Sequence, residues 1–125
     1  MKRMSAAKDY QQYSLQEIEQ DKKLRGAIER ELYVISQAVI DLAEALIAYK
    51  KFRKPTTMRE AIDILGEEKV LPIPFIAEFD GIVGFRNALA HDYEDLKLEV
   101  VYDVLQHKLA QIEMFLQYIR ASAGL

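Results

Sequence analysis

Cysteine is absent from this chain of 125 residues. Without a thiol there is no disulfide scaffold, no thiolate nucleophile and no thiolate zinc site, and the sequence suits a reducing compartment. Histidine occurs twice, too sparsely for a transition-metal site once cysteine is gone; no metal or cofactor is expected. Glycine and proline number five and three and, apart from Gly26, all lie beyond residue 54. Long stretches of Ala, Leu, Glu, Lys and Gln are left uninterrupted, and these are the good helix formers. The fold class expected is all-α.

An excess of positive charge is also missing: 17 basic residues stand against 20 acidic ones, a net charge of −3. That excludes broad, nonspecific coating of nucleic acid, which needs a basic surface to displace phosphate counterions, so any RNA contact must be local. Residues 38–49 and 70–77 are the longest apolar-rich stretches. Asp41 and Glu44 break the first and two prolines the second, and neither approaches the ~20 residues of a bilayer span. The charged start, Met1-Lys2-Arg3-Met4-Ser5, runs into Lys8, Asp9 and two glutamines rather than an apolar signal core. The expectation is a soluble, cytoplasmic chain with no membrane part. Half of the residues are apolar, enough for one compact domain over residues 1–125.

One long helix is expected from residue 14 to about 52. Ser14 stands as its N-cap, with Glu17 at capping-box spacing. Leu24, Ile28, Leu32, Ile35, Val39, Leu42 and Leu46 follow the three-four spacing, and Val34, Ile40 and Ile47 widen the stripe, so this helix sits between neighbours. The basic run Lys50-Lys51-Phe52-Arg53-Lys54 and Pro55 end it. That run suits an RNA backbone or an acidic partner, but a basic helix terminus explains it equally. Thr56 or Thr57 then caps a short connector helix to residue 64 or 65, with Gly66 as its C′ residue. After the acidic pair Glu67-Glu68, Pro72-Ile73-Pro74 opens a helix reaching Ala90 or His91. The last helix covers about 98–120. Short loops make an antiparallel helical bundle, four main helices or fewer plus the connector.

Arg86-Asn87-Ala88-Leu89-Ala90-His91-Asp92-Tyr93 is the one place where an arginine, an amide, an imidazole and a phenol gather. On a continuous helix, Asp80, Gly84, Asn87 and His91 form a polar and small stripe, while Phe75, Phe79, Ile82, Arg86 and Leu89 form another. A guanidinium in an apolar row needs a carboxylate, a carbonyl or a phosphate. Arg86 and His91 are five residues apart, roughly 140° around an ideal helix, so one rigid helix does not point them together. A second subunit does, and Gly81 and Gly84 permit the close approach of another backbone. Asp80, Gly81 and Gly84 are therefore candidates for a symmetric homodimer interface. The chemistry available is metal-independent cleavage of RNA: His91 as general acid or base, Arg86 against the charge growing on phosphate, Asn87 orienting either, and the 2′-hydroxyl attacking. Spacing alone does not single out this pair. His91 also suits a plain C-terminal cap, and Arg86 suits an ion pair with Glu78 or Asp80 of a neighbour. Tyr93, one of seven tyrosines, also suits ordinary packing, and His107 reads as a solvated helix position.

The segment from Gly84 to Tyr93 resembles the R-x(4–6)-H-x-Y signature of the HEPN superfamily, including a polar residue after the arginine. Ser14-Leu15-Gln16-Glu17, Asp21-Lys22-Lys23-Leu24, Ala27-Ile28-Glu29-Arg30, the connector at 56–65 and Val101-Tyr102-Asp103-Val104-Leu105 resemble the HepT-like toxins of that superfamily. The likeness covers nearly everything after residue 13. It implies a dimerising helical bundle with a composite ribonuclease site. It further implies a minimal nucleotidyltransferase antitoxin, MNT, as partner, and AMPylation of Tyr93 by that partner. The family usually carries a complete helix before the Ser14 position, so a truncated N-terminal helix is expected. The alternative function is a non-catalytic helical module that binds the nucleotidyltransferase. A third is a scaffold in which Arg86 and His91 only hold a dimer.

Overall fold

The computed structural model describes residues 2–91 and 96–125; the expectations placed on Asp92 and Tyr93 lie outside them. Among the described residues every regular element is helical, as composition and periodicity predicted. Helix α1 (Lys2–Asp9) and a 3₁₀ turn precede α2 (Leu15–Gln20) and α3 (Lys22–Lys50). Helices α4 (Met58–Glu67), α5 (Ile73–Phe79) and α6 (Ile82–Ala90) follow. The last helix comprises α7 (Leu98–Asp103), a π-helical stretch (Val104–Lys108) and α8 (Leu109–Ala123).

The helix expected over 14–52 is two helices. Ser14 and Glu17 do form the reciprocal capping box, but Asp21 leaves helical geometry at φ −126°, ψ 97° and accepts the Leu24 N–H at 3.0 Å. A short carboxylate that can satisfy a free backbone donor ends one helix and starts the next. From there α3 runs 29 residues, about 44 Å, and packs against α1, α2, α4, α6 and α8. By length and composition α3 would suffice to cross a bilayer, which the charge-broken run at 38–49 does not suggest. Its apolar residues are instead the axis of the core: Ile28, Leu32, Ile35, Val39, Ile40 and Ile47 are buried. Lys51 closes it in the left-handed region at φ 59°, with the Phe52 N–H returning to the Ile47 carbonyl at 3.0 Å.

The eight residues of α1 lie on α3, with Met4 and Ala7 buried, so even a short N-terminal helix covers that side of the core. Gln11 and Gln106 then exchange side chain for backbone: Gln11 donates to the Leu105 carbonyl and Gln106 to the Gln11 carbonyl, both at 2.9 Å. The pair engages the last helix at its π-helical stretch, where the regular backbone pairing is interrupted.

Two further boundaries differ from expectation. Helix α4 passes through Gly66, and the left-handed residue is Lys69 at φ 62°. Gly66 serves close packing, because a Cβ there would collide with the Ile76 side chain. The helix expected from Pro72 to Ala90 or His91 is broken at Asp80-Gly81 into α5 and α6. Glycine weakens the helix there, and Arg59 grips the Asp80 carboxylate at 3.1 and 2.9 Å. Phe75, Phe79, Phe115 and Tyr118 lock α5 onto α8, with ring centroids 4.9 to 5.3 Å apart.

Candidate active site

Helix α6 is nine residues long and buries Ile82, Val83 and Phe85. That anchoring leaves Arg86, Asn87, Ala88 and Leu89 half-buried along α3 and puts His91, the C-cap, in the open. Arg86 meets its acceptors in two amides. Its Nε donates to Gln37 Oε1 at 2.6 Å and one terminal nitrogen donates to Asn87 Oδ1 at 3.0 Å. The guanidinium carbon also lies 5.5 Å from the centre of the Tyr33 ring, within cation–π range. Gln37 is fixed from its other end, its amide nitrogen donating to Asp41 at 2.8 Å.

These contacts revise the reading from helix periodicity. Helix periodicity alone pairs Asn87 with His91 and sets Arg86 on another face. In the structure the long arginine arm folds back onto its own neighbour, so Arg86 and Asn87 are joined directly. Asn87 also accepts the His91 backbone N–H on its carbonyl at 3.1 Å. Gln37 and Tyr33 were missed, although the need of Arg86 for an acceptor pointed to some such partner. Forty-nine residues separate Gln37 from Arg86, and no local pattern joins them.

Of the three interface candidates, Asp80 is the C-cap of α5. It precedes the break and its carboxylate is engaged by Arg59. Gly81 and Gly84 are exposed, and a Cβ at either would meet nothing within 4 Å. With Asn87, Thr57 and Met58 they line a shallow groove of about 500 Å³. A separate cleft of about 390 Å³ is lined by Arg30, Tyr33, Leu89 and Leu96 among others.

The basic run after α3 has one member committed elsewhere. Arg53 binds Glu67 at 2.7 and 3.0 Å and Glu60 at 3.1 Å. Its basicity is held above the ordinary value, chiefly by the hydrogen bond to Glu67. Glu60 is lowered first by the Thr56 backbone N–H and then by Arg53, and Glu67 first by its hydrogen bond from Arg53. Glu67 is thus the last residue of α4 and half of an ion pair. His107 is exposed within the π-helical stretch. Among the described residues no three His, Cys, Asp or Glu side chains converge to hold a metal ion.

The sequence profile of the family described as Ribonuclease HepT-like matches residues 2–119. An mRNA nuclease HepT from Shewanella oneidensis is 29% identical over 105 residues, which are 84% of this chain and 79% of the relative. A tRNA nuclease HepT from Aphanizomenon flos-aquae is 29% identical over 93 residues, 74% of this chain but only 63% of that longer protein. Among solved structures, a tri-AMPylated Shewanella oneidensis HEPN toxin in complex with MNT antitoxin superposes with a TM-score of 0.83 at 26% identity. The superposition covers 95% of this chain and 92% of the other.

Proposed function

The chain belongs to the ribonuclease HepT-like family, and on that premise we propose that it is the ribonuclease toxin of a HEPN/MNT pair, cutting RNA with Arg86, Asn87 and His91. The observation that carries this reading is the state of Arg86. It is half-buried and hydrogen-bonded to two amide oxygens, and among the described residues no carboxylate pairs with it. Neutral acceptors hold the guanidinium in place without cancelling its charge, which is the condition for binding a phosphate.

The reaction is transesterification followed by release. A base takes the proton of the 2′-hydroxyl, the 2′-oxygen forms a bond to phosphorus, and the bond from phosphorus to the 5′-oxygen breaks as that oxygen takes a proton from an acid. His91, exposed at the end of α6, supplies an imidazole for one proton transfer. A second copy of His91 in a homodimer supplies the other. Arg86 faces the equatorial oxygens, where charge grows in the transition state, and Asn87 holds the guanidinium. No step needs a metal. Gly81 and Gly84, exposed on the same helix, are where the second copy of α6 approaches.

The MNT antitoxin named with the Shewanella complex is the class of partner proposed here, and Tyr93 the proposed acceptor of AMP. The cytoplasm is the compartment that suits an RNA substrate and a nucleotide-using partner. The deciding experiment incubates purified chain with RNA in the presence of a chelator. Cleavage should persist without metal and disappear in His91→Ala, while the circular dichroism spectrum and melting temperature stay put; equal cleavage by His91→Ala overturns the reading.

A further inference from the structure

We infer that Gln37 is a positioning residue for the reaction: it holds Arg86 by Nε with a neutral oxygen, so the guanidinium is fixed in direction but keeps its full charge for the phosphate. The inference rests on the reading of Arg86 just given and adds a residue from α3 to it.

The arginines of this chain make the contrast. Arg3 binds Glu31, Arg25 binds Glu29, Arg53 binds Glu60 and Glu67, and Arg59 binds Asp80. Among the described residues, each arginine with a side-chain hydrogen bond donates to a carboxylate except Arg86, which donates only to the amides of Gln37 and Asn87. Arg86 is also the half-buried member of an otherwise apolar row, where a carboxylate partner is the ordinary solution. At this position the acceptor is neutral.

The amide of Gln37 has a defined orientation because its two neighbours differ in kind. Asp41 can only accept and Arg86 can only donate, so the nitrogen of Gln37 faces Asp41 at 2.8 Å and its oxygen faces Arg86 at 2.6 Å. Gln37 and Asp41 sit four apart on α3, one above the other. Asp41 therefore acts on Arg86 only through an intervening amide, which orients the guanidinium without pairing with it. The Tyr33 ring packs near the guanidinium from the same helix. Two N–H donors of Arg86 are thereby taken, leaving the remaining terminal donors for an anion.

A swap tests the charge argument. Gln37→Glu combined with Asp41→Asn moves one carboxylate a single helical turn, keeps the net charge, and preserves an oxygen acceptor for Arg86 Nε. A merely structural Gln37 tolerates this exchange, since the new pair is an ion pair. With Gln37 as a positioning residue, the melting temperature is retained, kcat falls by at least about tenfold, and binding to a single-stranded RNA depends less steeply on salt. The slope of log affinity against log salt should drop by about 0.7, the loss of one phosphate contact.

Gln37→Met is the second variant, similar in length but without the acceptor. It should lower kcat by up to about 100-fold, the scale of an ångström-sized misplacement of a reacting group, with KM changed much less. Arg86→Ala is measured alongside. If Arg86→Ala is inactive while the swap and Gln37→Met both keep wild-type kcat, Gln37 has no positioning role and the reading of Arg86 stands. If Arg86→Ala cleaves like wild type, the reading of Arg86 fails and the inference with it. If the swap does not fold, Gln37→Met decides: wild-type kcat overturns the inference, and lowered kcat with KM nearly constant supports it.

Discussion

Arg86 and Asn87, neighbours in the chain, are joined by a 3.0 Å hydrogen bond from the guanidinium to the Asn87 amide oxygen. Neighbouring positions on a helix point about 100° apart, so the contact exists only because the arginine side chain is long enough to turn back. Asn87→Ala removes one of the two oxygens that hold Arg86. RNA cleavage should fall by roughly 10- to 100-fold, the range for losing one aligned polar group at a charged transition state. A fluorogenic RNA assay measures it, and undiminished kcat would remove Asn87 from the site.

Gly84 lies on the same helix, exposed, with open space where a Cβ would stand. Gly84→Leu should therefore leave the monomer folded, and even favour α6 slightly through helix propensity. It should weaken the proposed dimer by opposing close approach of a second α6. Analytical ultracentrifugation across a concentration series reads the dissociation constant. A dimer unaffected by leucine at this position places its interface elsewhere.

The Arg53, Glu60 and Glu67 network makes stability depend on acidity. Both glutamates are depressed in the folded state from the ordinary value of 4.5. Groups of this sign contribute stability that is present above their unfolded pKa and lost as pH falls through the lowered folded value. Arg53→Met should thus lower the melting temperature most near neutral pH. The gap between variant and wild type should close progressively below about pH 4.5, as the glutamates protonate. A gap of constant size from pH 7 to pH 3 would show that Arg53 stabilises by packing instead.

Phe115 is fully buried and stacks on Phe79 with centroids 5.2 Å apart. Phe115→Ala should cost about 3–5 kcal/mol, a large part of the ~5–15 kcal/mol that holds a domain of this kind together. The loss falls where α5 meets α8, so it also loosens the support of α6 beyond the Asp80-Gly81 break. Urea titration measures the shift in midpoint, and a shift worth under 1 kcal/mol would contradict the stacked core described here.

The all-α class was legible because the signals are local. Composition, the three-four apolar spacing of Ile28, Leu32, Ile35 and Val39, and the Ser14–Glu17 capping box each act over a few residues. Helix breaks were read less well. Asp21 and the Asp80-Gly81 pair are compatible with a helix by propensity alone. At Asp21 the side-chain carboxylate takes the Leu24 N–H, whereas at Asp80-Gly81 both residues keep right-handed dihedrals and the interruption coincides with a glycine and with the grip of Arg59, far away in sequence, on the Asp80 carboxylate. Gly66 shows the same limit in reverse: a glycine that suits a helix end by local rule lies within α4 and lets the Ile76 side chain pack against its backbone.

The sequence by itself determined which residue types can do chemistry here, since without cysteine the grouped Arg86, Asn87 and His91 stand out, and the same segment carries the family signature. Only the tertiary structure decided how Arg86 is held. Its acceptor on α3 is 49 residues away, and a helical wheel registers direction around one axis but not the reach of a flexible side chain or the helix packed beside it. The identity of that acceptor, an amide where every other arginine with a side-chain hydrogen bond among the described residues has a carboxylate partner, follows from the packing of α6 on α3, which brings Gln37 to the guanidinium and leaves its charge uncancelled.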